Sequence, residues 1–578
     1  MRCGGGIRSG SAMKHKWWET AVFYQVYPRS FADGNGDGIG DLPGLIDNLD
    51  YLQWLGVGAV WLSPHYPSPQ VDIGYDIADY TGIEPAYGTM RDFDRLLDEI
   101  HRRGMKLILD LVLNHTSDRH AWFRESRADR DNPKRDWYIW RDGVSGGPPN
   151  NWQSEFGGSA WEYNDTTGQW YYHDFLKEQP DLNWRNPEVK AAMFDAARFW
   201  LDKGVDGFRL DAIGTLFEDP DLTPHSSRFT AIDALRHNWL PDETRDGLRY
   251  MDIVRDLLKY QHELPEVFEL MRDFRSVIDA YDDRFLVGET SDIRFLGDGT
   301  NGLHAVFNFD LVSLPELTAN RLRSIREAWR SSAPGGTRVC NTLNNHDQSR
   351  AATHFVHGDH AAQRCRTAIA TVLLFLEGIP FLYYGEEIGM RDYALRSLEE
   401  MRDRVGWVYR DLRLTDGIGE TQILKELGRF SRDRCRTPMQ WDRSANAGFS
   451  PAGVRTWLPV HTNHQEGVNV ADEQDDPHSL LHFYRKLIGV RNAHAALQTG
   501  TFRDLDPTNE HALVFLRESP GQCCLVAINF SPEPVAFASS SPGRILYTDG
   551  GHGDIMEAGR HTLAPFDILV AELVPVTA

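Results

Sequence analysis

Arg209 and Asp211 stand two residues apart in the stretch Gly204-Val-Asp-Gly-Phe-Arg-Leu-Asp-Ala-Ile213, which has the apolar pattern of a strand. Side chains alternate across a strand, so i and i+2 share a face. A guanidinium fixed beside a carboxylate favours its charged form. Such an aspartate can serve as a nucleophile; a structural ion pair would have the same sequence. Other acids also follow apolar runs: Glu289 after Val287-Gly288, Asp347 after Asn344-Asn345-His346, and the pair Glu386-Glu387 after Tyr383-Tyr384-Gly385. His115 follows Asn114 in the same manner. Two carboxylates about 5 Å apart are the machinery of retaining glycoside hydrolysis. One attacks the anomeric carbon, and the other is held protonated by burial and by its anionic neighbours.

These residues need elements that bring them together. Strand patterns fall at Phe23–Tyr27, Ala59–Leu62, Lys106–Leu113, Phe208–Ile213, Phe285–Gly288, Ala305–Phe309, Val339–Leu343 and Ile379–Tyr384. Helical spacing separates them at Leu45–Leu55, Met90–Arg103, Glu188–Lys203, Met251–His262 and Ala361–Leu376. Gly56, Gly104 and Gly204 stand where helix C-caps are expected. Eight strands alternating with helices predict an α/β fold, a closed (β/α)8 TIM barrel. An open doubly wound sheet is the alternative, but it would gather its polar residues at one crevice. Here they follow strand after strand, as a barrel mouth requires.

The barrel's first part is read over residues 16–114 and its second over 187–492, with an irregular excursion at about 390–465. Residues 115–186 form a small inserted domain overhanging the mouth, since so long a connection is usually functional. After the helix Ser479–Asn492, short strand patterns at Ala512–Arg517, Cys523–Asn529, Ile545–Thr548 and Ile568–Leu573 mark residues 493–578 as a C-terminal all-β sandwich. Residues 1–15 read as a disordered lead-in, with Met13 an alternative start.

Lys and Arg number 61 against 84 Asp and Glu, a formal charge of −23. That balance argues against nucleic acid or an anionic membrane as the partner and suits a small neutral ligand. Six scattered cysteines without metal-like spacing read as reduced thiols of a cytoplasmic protein. A monomer or homodimer is expected.

Several motifs in order give the chain a resemblance to the α-amylase family, glycoside hydrolase family 13, and within it to the α-glucosidase and oligo-1,6-glucosidase group. They are Asp110-Leu-Val-Leu-Asn-His115, Gly207-Phe-Arg-Leu-Asp-Ala212, Val287-Gly-Glu-Thr290, Asn344-Asn-His-Asp-Gln348, Gln179-Pro-Asp-Leu-Asn-Trp184 and Arg436-Thr-Pro-Met-Gln-Trp441. The resemblance runs from about Lys16 to the C-terminus. It implies Asp211 as nucleophile, Glu289 as acid and then base, and Asp347 as a third carboxylate on the sugar's 2- and 3-hydroxyls. Arg209 would orient Asp211, and His115 and His346 would donate to the glycone. Tyr75 would stack on that sugar. Asp72 would pair with Arg436 to close the pocket and so impose exo action. Phe156, Phe175 and Gln179 resemble pocket-lining residues, although core packing of the inserted domain would explain the two aromatics nearly as well.

Asp33-Gly-Asn-Gly-Asp-Gly-Ile-Gly-Asp41 places oxygen donors at alternate positions, as a loop around one cation does. It resembles the family's single Ca2+ or Mg2+ loop, with Asp33, Asn35, Asp37, the main-chain oxygen of Ile39, and Asp41 as ligands to a structural ion. A glycine-rich turn with solvated acids is the plain alternative. Ala212, a small residue after the nucleophile, goes in this group with α-1,4 preference, and valine with α-1,6. The expected function is therefore an exo-acting retaining α-glucosidase on short α-glucosides, with transglucosylation as a side reaction. Trehalose synthase and sucrose isomerase share the apparatus; the arginine-rich aromatic clamp of the latter is not found at 290–330. A non-catalytic transporter heavy chain would carry an N-terminal membrane helix and would usually lack part of the acid set. All three acids are kept here.

Overall fold

The computed structural model describes residues 15–240, 248, 250–335, 337–356, 359–549 and 553–574. The expected lead-in and Met13 lie outside the described residues, apart from His15.

Eight parallel strands close on themselves: β1 (Phe23–Val26), β2 (Ala59–Leu62), β3 (Lys106–Val112), β4 (Gly207–Asp211), β5 (Phe285–Gly288), β6 (Ala305–Phe307), β7 (Arg338–Asn341) and β8 (Ile379–Tyr383). Phe23 of β1 is in register with both Ala59 of β2 and Phe381 of β8, which makes the closure explicit. Alternation then sorts the side chains. Phe23, Ala59, Trp61, Ile108, Phe285, Val287, Phe307, Cys340, Ile379 and Phe381 pack together inside the barrel. Their neighbours Tyr24, Val60, Leu109, Phe208, Leu286 and Leu382 pack outward with the surrounding helices. The helix Trp17–Thr20 closes the lower end, where Trp18 stacks on Phe285 at 5.5 Å. At the first residue of β4, Gly207 adopts φ +153°, and a Cβ there would lie 2.0 Å from the carbonyl oxygen of Phe285. Glycine is what lets β4 and β5 approach at this point.

The expected helices are present with shifted ends. Leu45–Leu55 is two helices, Leu42–Asp47 and Leu49–Leu55, meeting at Asn48. The Met251–His262 helix spans Tyr250–Leu257, so Gln261 and His262 fall in the loop beyond it. The helix begun at Ala361 is regular to Ala370 and widens into a π turn over Thr371–Phe375.

The inserted segment carries three short antiparallel strands, Trp140–Arg141, Trp161–Asn164 and Gln169–Tyr172. Its own core is Ile139, Trp152, Ala160, Trp161 and Tyr172. The stretch 390–465 is not irregular throughout, which corrects the sequence reading. It contains the helices Arg404–Thr415 and Glu420–Leu427. Their apolar faces pack on the helix Ala231–Trp239, with Trp239 against Tyr409 and Phe430 at 5.2 and 5.0 Å. Charged residues on the outer faces hid that periodicity.

Beyond residue 493, six strands form one sheet and two more, Val535–Ser539 and Gly559–Leu563, form a second. Leu525, Ala527, Val535, Phe537, Leu563, Leu569 and Ala571 share one core between them. The two sheets and their common core make the expected sandwich. Among the described residues no helix is long and apolar enough to cross a membrane, and Cys340, Cys365, Cys435, Cys523 and Cys524 are free thiols.

Candidate active site

Parallel register places Asp110 of β3 level with Arg209 of β4, and Arg209 level with Val287 of β5. All three point inward, as do Asp211 and Glu289 two residues further up their strands. Arg209 Nη1 donates to Asp110 Oδ1 at 2.7 Å and to Asp211 Oδ1 at 2.6 Å, and its Nη2 lies 2.6 Å from Glu289 Oε1. The second oxygen of Glu289 accepts the Ala212 N–H at 3.0 Å. Gly288 makes this corner fit, because a Cβ there would meet Ile213 and Leu303 at 2.5 Å.

One guanidinium thus faces three carboxylates. Burial pushes the Asp211 carboxyl well up, Arg209 pulls it down, and the charges of Glu289 and Asp110 push it up again. Burial likewise pushes Asp110 up to about 6, against the pull of Arg209. A cluster with this charge balance can hold a proton near neutrality that three separate acids would release. Asp110 was quoted in a motif but not chosen as a site residue. It is fully buried, also accepts from Trp61 Nε1 at 3.2 Å and Tyr75 Oη at 3.1 Å, and sits beneath the cluster. Its signal was the polar residue interrupting the apolar run Leu107-Ile-Leu109.

The closed end of the pocket departs from the sequence reading. Asp72 does not pair with Arg436; its Oδ1 accepts from Arg432 Nη2 at 2.8 Å, and Asp403 Oδ1 lies 2.8 Å from the same nitrogen. Arg436 instead holds Asp347 Oδ1 at 2.6 Å, while its Nε donates to the carbonyl of His346 at 2.7 Å. The two arginines stand four residues apart across a 3-10 turn, Arg432–Arg434, and that turn sends them to different acids. Arg432 and the fully buried Asp403 are therefore site residues that the sequence reading missed. Nη1 of Arg436 is buried without a protein partner. Burial opposes the charge on Asp347, but His346, Arg436, Arg432 and Arg209 outweigh it and hold the carboxyl below the usual range.

His346 bonds Gln25 through Nδ1 at 2.9 Å and Tyr75 Oη through Nε2 at 2.6 Å. The Tyr75 ring stacks on the imidazole at 5.2 Å, which takes one of its faces. His115 lies 2.9 Å from Gln179 Nε2, and Gln179 also donates to Asp72 Oδ2 at 3.2 Å. Burial pushes both imidazoles down, His115 to about 4 and His346 to about 3, so both are neutral at physiological pH. Phe156 and Phe175 pack on each other at 5.5 Å, and Phe175 meets His115 edge-on at 5.3 Å. Neither belongs to the inserted segment's core, so core packing does not account for them. Asp72, Tyr75, His115, Phe175, Gln179, Arg209, Asp211, Glu289, His346, Asp347 and Arg436 are thus linked through direct contacts around one barrel mouth.

The loop 33–41 lies apart from these residues. Gly36 and Gly38 take φ of +82° and +92°, and Gly38 is pressed on the carbonyl of Arg455. Asp33 accepts from the amides of Gly36, Asp37 and Gly38, and Asn35 Oδ1 from Asp37 N–H. Alternating hard oxygens on a curled backbone suit an oxygen-seeking cation. Asp41 is the least free of them. It caps the helix Leu42–Asp47, and its oxygens already accept N–H bonds from Gly34, Asn35 and Gly44.

Residues 25–500 match the family model described as Alpha amylase, catalytic domain. Among curated proteins, the chain is 40% identical to an oligo-1,6-glucosidase of Parageobacillus thermoglucosidasius over 93% of this chain and 94% of that one. It is 38% identical to an alpha-glucosidase of Candida albicans over 91% and 94%. Among solved structures it superposes on the isomaltulose synthase of Erwinia rhapontici NX5 with a TM-score of 0.85 and 37% identity, covering 98% of this chain and 100% of the other.

Proposed function

The chain belongs to the α-amylase family of glycoside hydrolases, and we propose that within it this enzyme is an exo-acting retaining α-glucosidase. It would release glucose from the non-reducing ends of short α-glucosides through a covalent glucosyl-enzyme. The observation that carries this reading is Arg209 bridging Asp211 and Glu289. A single guanidinium touching both acids favours the narrow carboxyl spacing of the retaining route, about 5–5.5 Å, over the wider inverting one, about 6.5–9.5 Å.

In this scheme Asp211 attacks the anomeric carbon, and Glu289 gives its proton to the departing oxygen. Glu289 then takes a proton from the incoming water as that water displaces the aspartyl ester. Asp347, kept ionised by its arginines, binds the sugar's 2- and 3-hydroxyls and favours the oxocarbenium-like transition state. The unused Nη1 of Arg436 and the Asp72–Arg432–Asp403 ion group close the glycone end, so that one terminal glucose fits. His115 and His346, neutral, orient hydroxyls.

Ala212 supports a lean towards α-1,4 links. Its φ of +42° is left-handed, a backbone that a β-branched residue enters only with strain. Ala212→Val is expected to lower turnover of maltose more than that of isomaltose. Equal losses would remove the linkage argument. Transfer to a sugar acceptor in place of water accompanies hydrolysis. The loop Asp33, Asn35, Asp37, Ile39 and Asp41 is assigned a structural Ca2+ or Mg2+, which when bound would tie the first barrel loop to residues 451–457. The free thiols accord with a cytoplasmic enzyme.

A second reading, an α-glucoside isomerase, is favoured by the likeness to isomaltulose synthase. Against it, Arg294 pairs with Asp292 and Glu263 instead of joining an aromatic clamp. Incubation with maltose, isomaltose, sucrose and trehalose, followed by product analysis, separates the readings. Free glucose from maltose or isomaltose is expected. Conversion of maltose to trehalose, or of sucrose to an isomer, would overturn the hydrolase.

A further inference from the structure

Beside the cluster held by Arg209 lies a second group of ionisable side chains that the scheme above does not use. Glu155 and Asp174 come from the inserted segment and His262 from the loop before the helix Glu266–Asp279. One ligand atom from each lies within 4.8 Å of the other two. Asp174 is fully buried and committed: Oδ2 accepts from His262 Nε2 at 2.8 Å, and Oδ1 from Tyr172 Oη and Gln261 Nε2 at 3.2 and 3.1 Å. Glu155 is different. Its main-chain N–H donates to Asp174 O at 2.8 Å, yet its carboxylate accepts no hydrogen bond and makes no ion pair among the described residues.

Three contacts place this carboxylate on the leaving-group side. The closed glycone end is built by Asp72, Arg432 and Arg436, so Glu289 must face the opposite way, towards the departing oxygen. Glu289 is bonded to the Ala212 N–H, and the turn that follows is joined to the His262 loop by Glu263 N–H to Gly214 O at 2.6 Å and Asp219 N–H to Tyr260 O at 2.7 Å. Glu155 directly precedes Phe156, whose ring lies 5.7 Å from the Arg432 guanidinium. The charge of Glu289 is also among those that, after burial and Asp174, push Glu155 up, to about 7.

We propose that Glu155 is a specificity-determining residue of the aglycone subsite, its carboxylate accepting hydrogen bonds from hydroxyls of the second sugar, with His262 and Asp174 as the pair that positions it. This rests on the α-glucosidase reading and deepens it, because it names the leaving or accepting group as a polyhydroxylated sugar. A cation is the other ligand that such a trio could take. Asp174 pushes the His262 imidazole up to about 9 against its burial. Protonated at neutral pH, that ring has no lone pair to offer a metal. Sugar hydroxyls, as donors, suit the free carboxylate better.

The test reads binding without turnover. Calorimetric titrations of the full chain carrying Asp211→Asn with maltose and with glucose are compared with those of the same chain carrying Glu155→Ala or Glu155→Gln as well. Loss of a hydrogen bond to a charged acceptor should weaken maltose about 10- to 100-fold, with Glu155→Gln intermediate and glucose within about 3-fold. His262→Gln should weaken maltose in the same direction by a smaller factor. Equal weakening of glucose and maltose, unchanged maltose binding, or no maltose binding before Glu155 is replaced would overturn the proposal. So would a rise in Tm on adding Zn2+ or Mn2+ that Glu155→Ala abolishes. Failure of the glucosidase reading would show separately, in the products of the unmutated chain.

Discussion

Arg209 is buried with three acids at hydrogen-bond distance, more negative charge than one guanidinium neutralises. The sequence displayed the Arg209–Asp211 pair, since a two-residue spacing on a strand is enough to align them. It did not display Asp110 as the third partner, because that contact depends on the register between β3 and β4. Asp110→Ala would leave the guanidinium without its deepest counter-charge. Loss of one member of a buried ion group costs about 3–5 kcal/mol. A fall of that size in unfolding free energy is expected in urea titrations, together with lost activity; a stability change below about 1 kcal/mol, within the ordinary range of exposed pairs, would contradict the hub. The cluster also has a pH signature. Asp211 must be ionised to attack, and its carboxyl is pushed up. Activity should therefore be present above the cluster's apparent pKa and lost as pH falls through it. The acid limb of kcat/KM should lie above the ordinary Asp value of about 3.9. A limb at or below that value would show that burial does not govern the nucleophile.

The strands were the most legible of the elements. Ala59–Leu62, Phe285–Gly288 and Ile568–Leu573 have the expected bounds, because each is a buried apolar run ended by turn or polar residues. The short strand Val535–Ser539 was missed, since its Ala and Ser positions face solvent and weaken the pattern. The helices of 390–465 were missed because their partner is the distant helix Ala231–Trp239, which no local window includes. The closing ion pair shows the same limit. Asp72 was identified, yet its partner was misassigned by four residues, because a 3-10 turn decides which arginine reaches it. The loop 33–41 makes its prediction here. It packs on Pro451 and Arg455, so an ion bound in it would brace the excursion against the first barrel loop. Chelation is expected to lower Tm, by about 2–4 °C for each kcal/mol lost in a chain at least this large, while leaving initial rates below the transition nearly unchanged. An unchanged Tm in chelator, with no metal found by elemental analysis, would remove the ion.

For the whole molecule, the net charge of −23 and the closed pocket point the same way. A terminal, neutral sugar enters a mouth whose cations are already matched to carboxylates. Barrel, inserted segment and sandwich were readable in outline because each has its own periodicity. The relation of the inserted segment to the His262 loop was not readable, since it consists of single contacts between segments about 90 residues apart, such as His262 with Asp174 at a separation of 88. The family likeness fixes the kind of chemistry but leaves water and sugar competing for one intermediate.

That intermediate is also where the account is most exposed. Glu289→Gln removes the base needed for its hydrolysis, so an α-glucosyl fluoride, which needs little acid assistance to leave, should load the enzyme faster than water unloads it. Rapid acid quench, proteolysis and peptide mass spectrometry of that variant should find one added glucosyl unit on the peptide containing Asp211, and none when Asp211→Ala is combined with it. A glucosyl unit on Asp347 or another acid, or turnover of the fluoride with no adduct at all, would contradict the assignment of Asp211 as the nucleophile of a retaining enzyme.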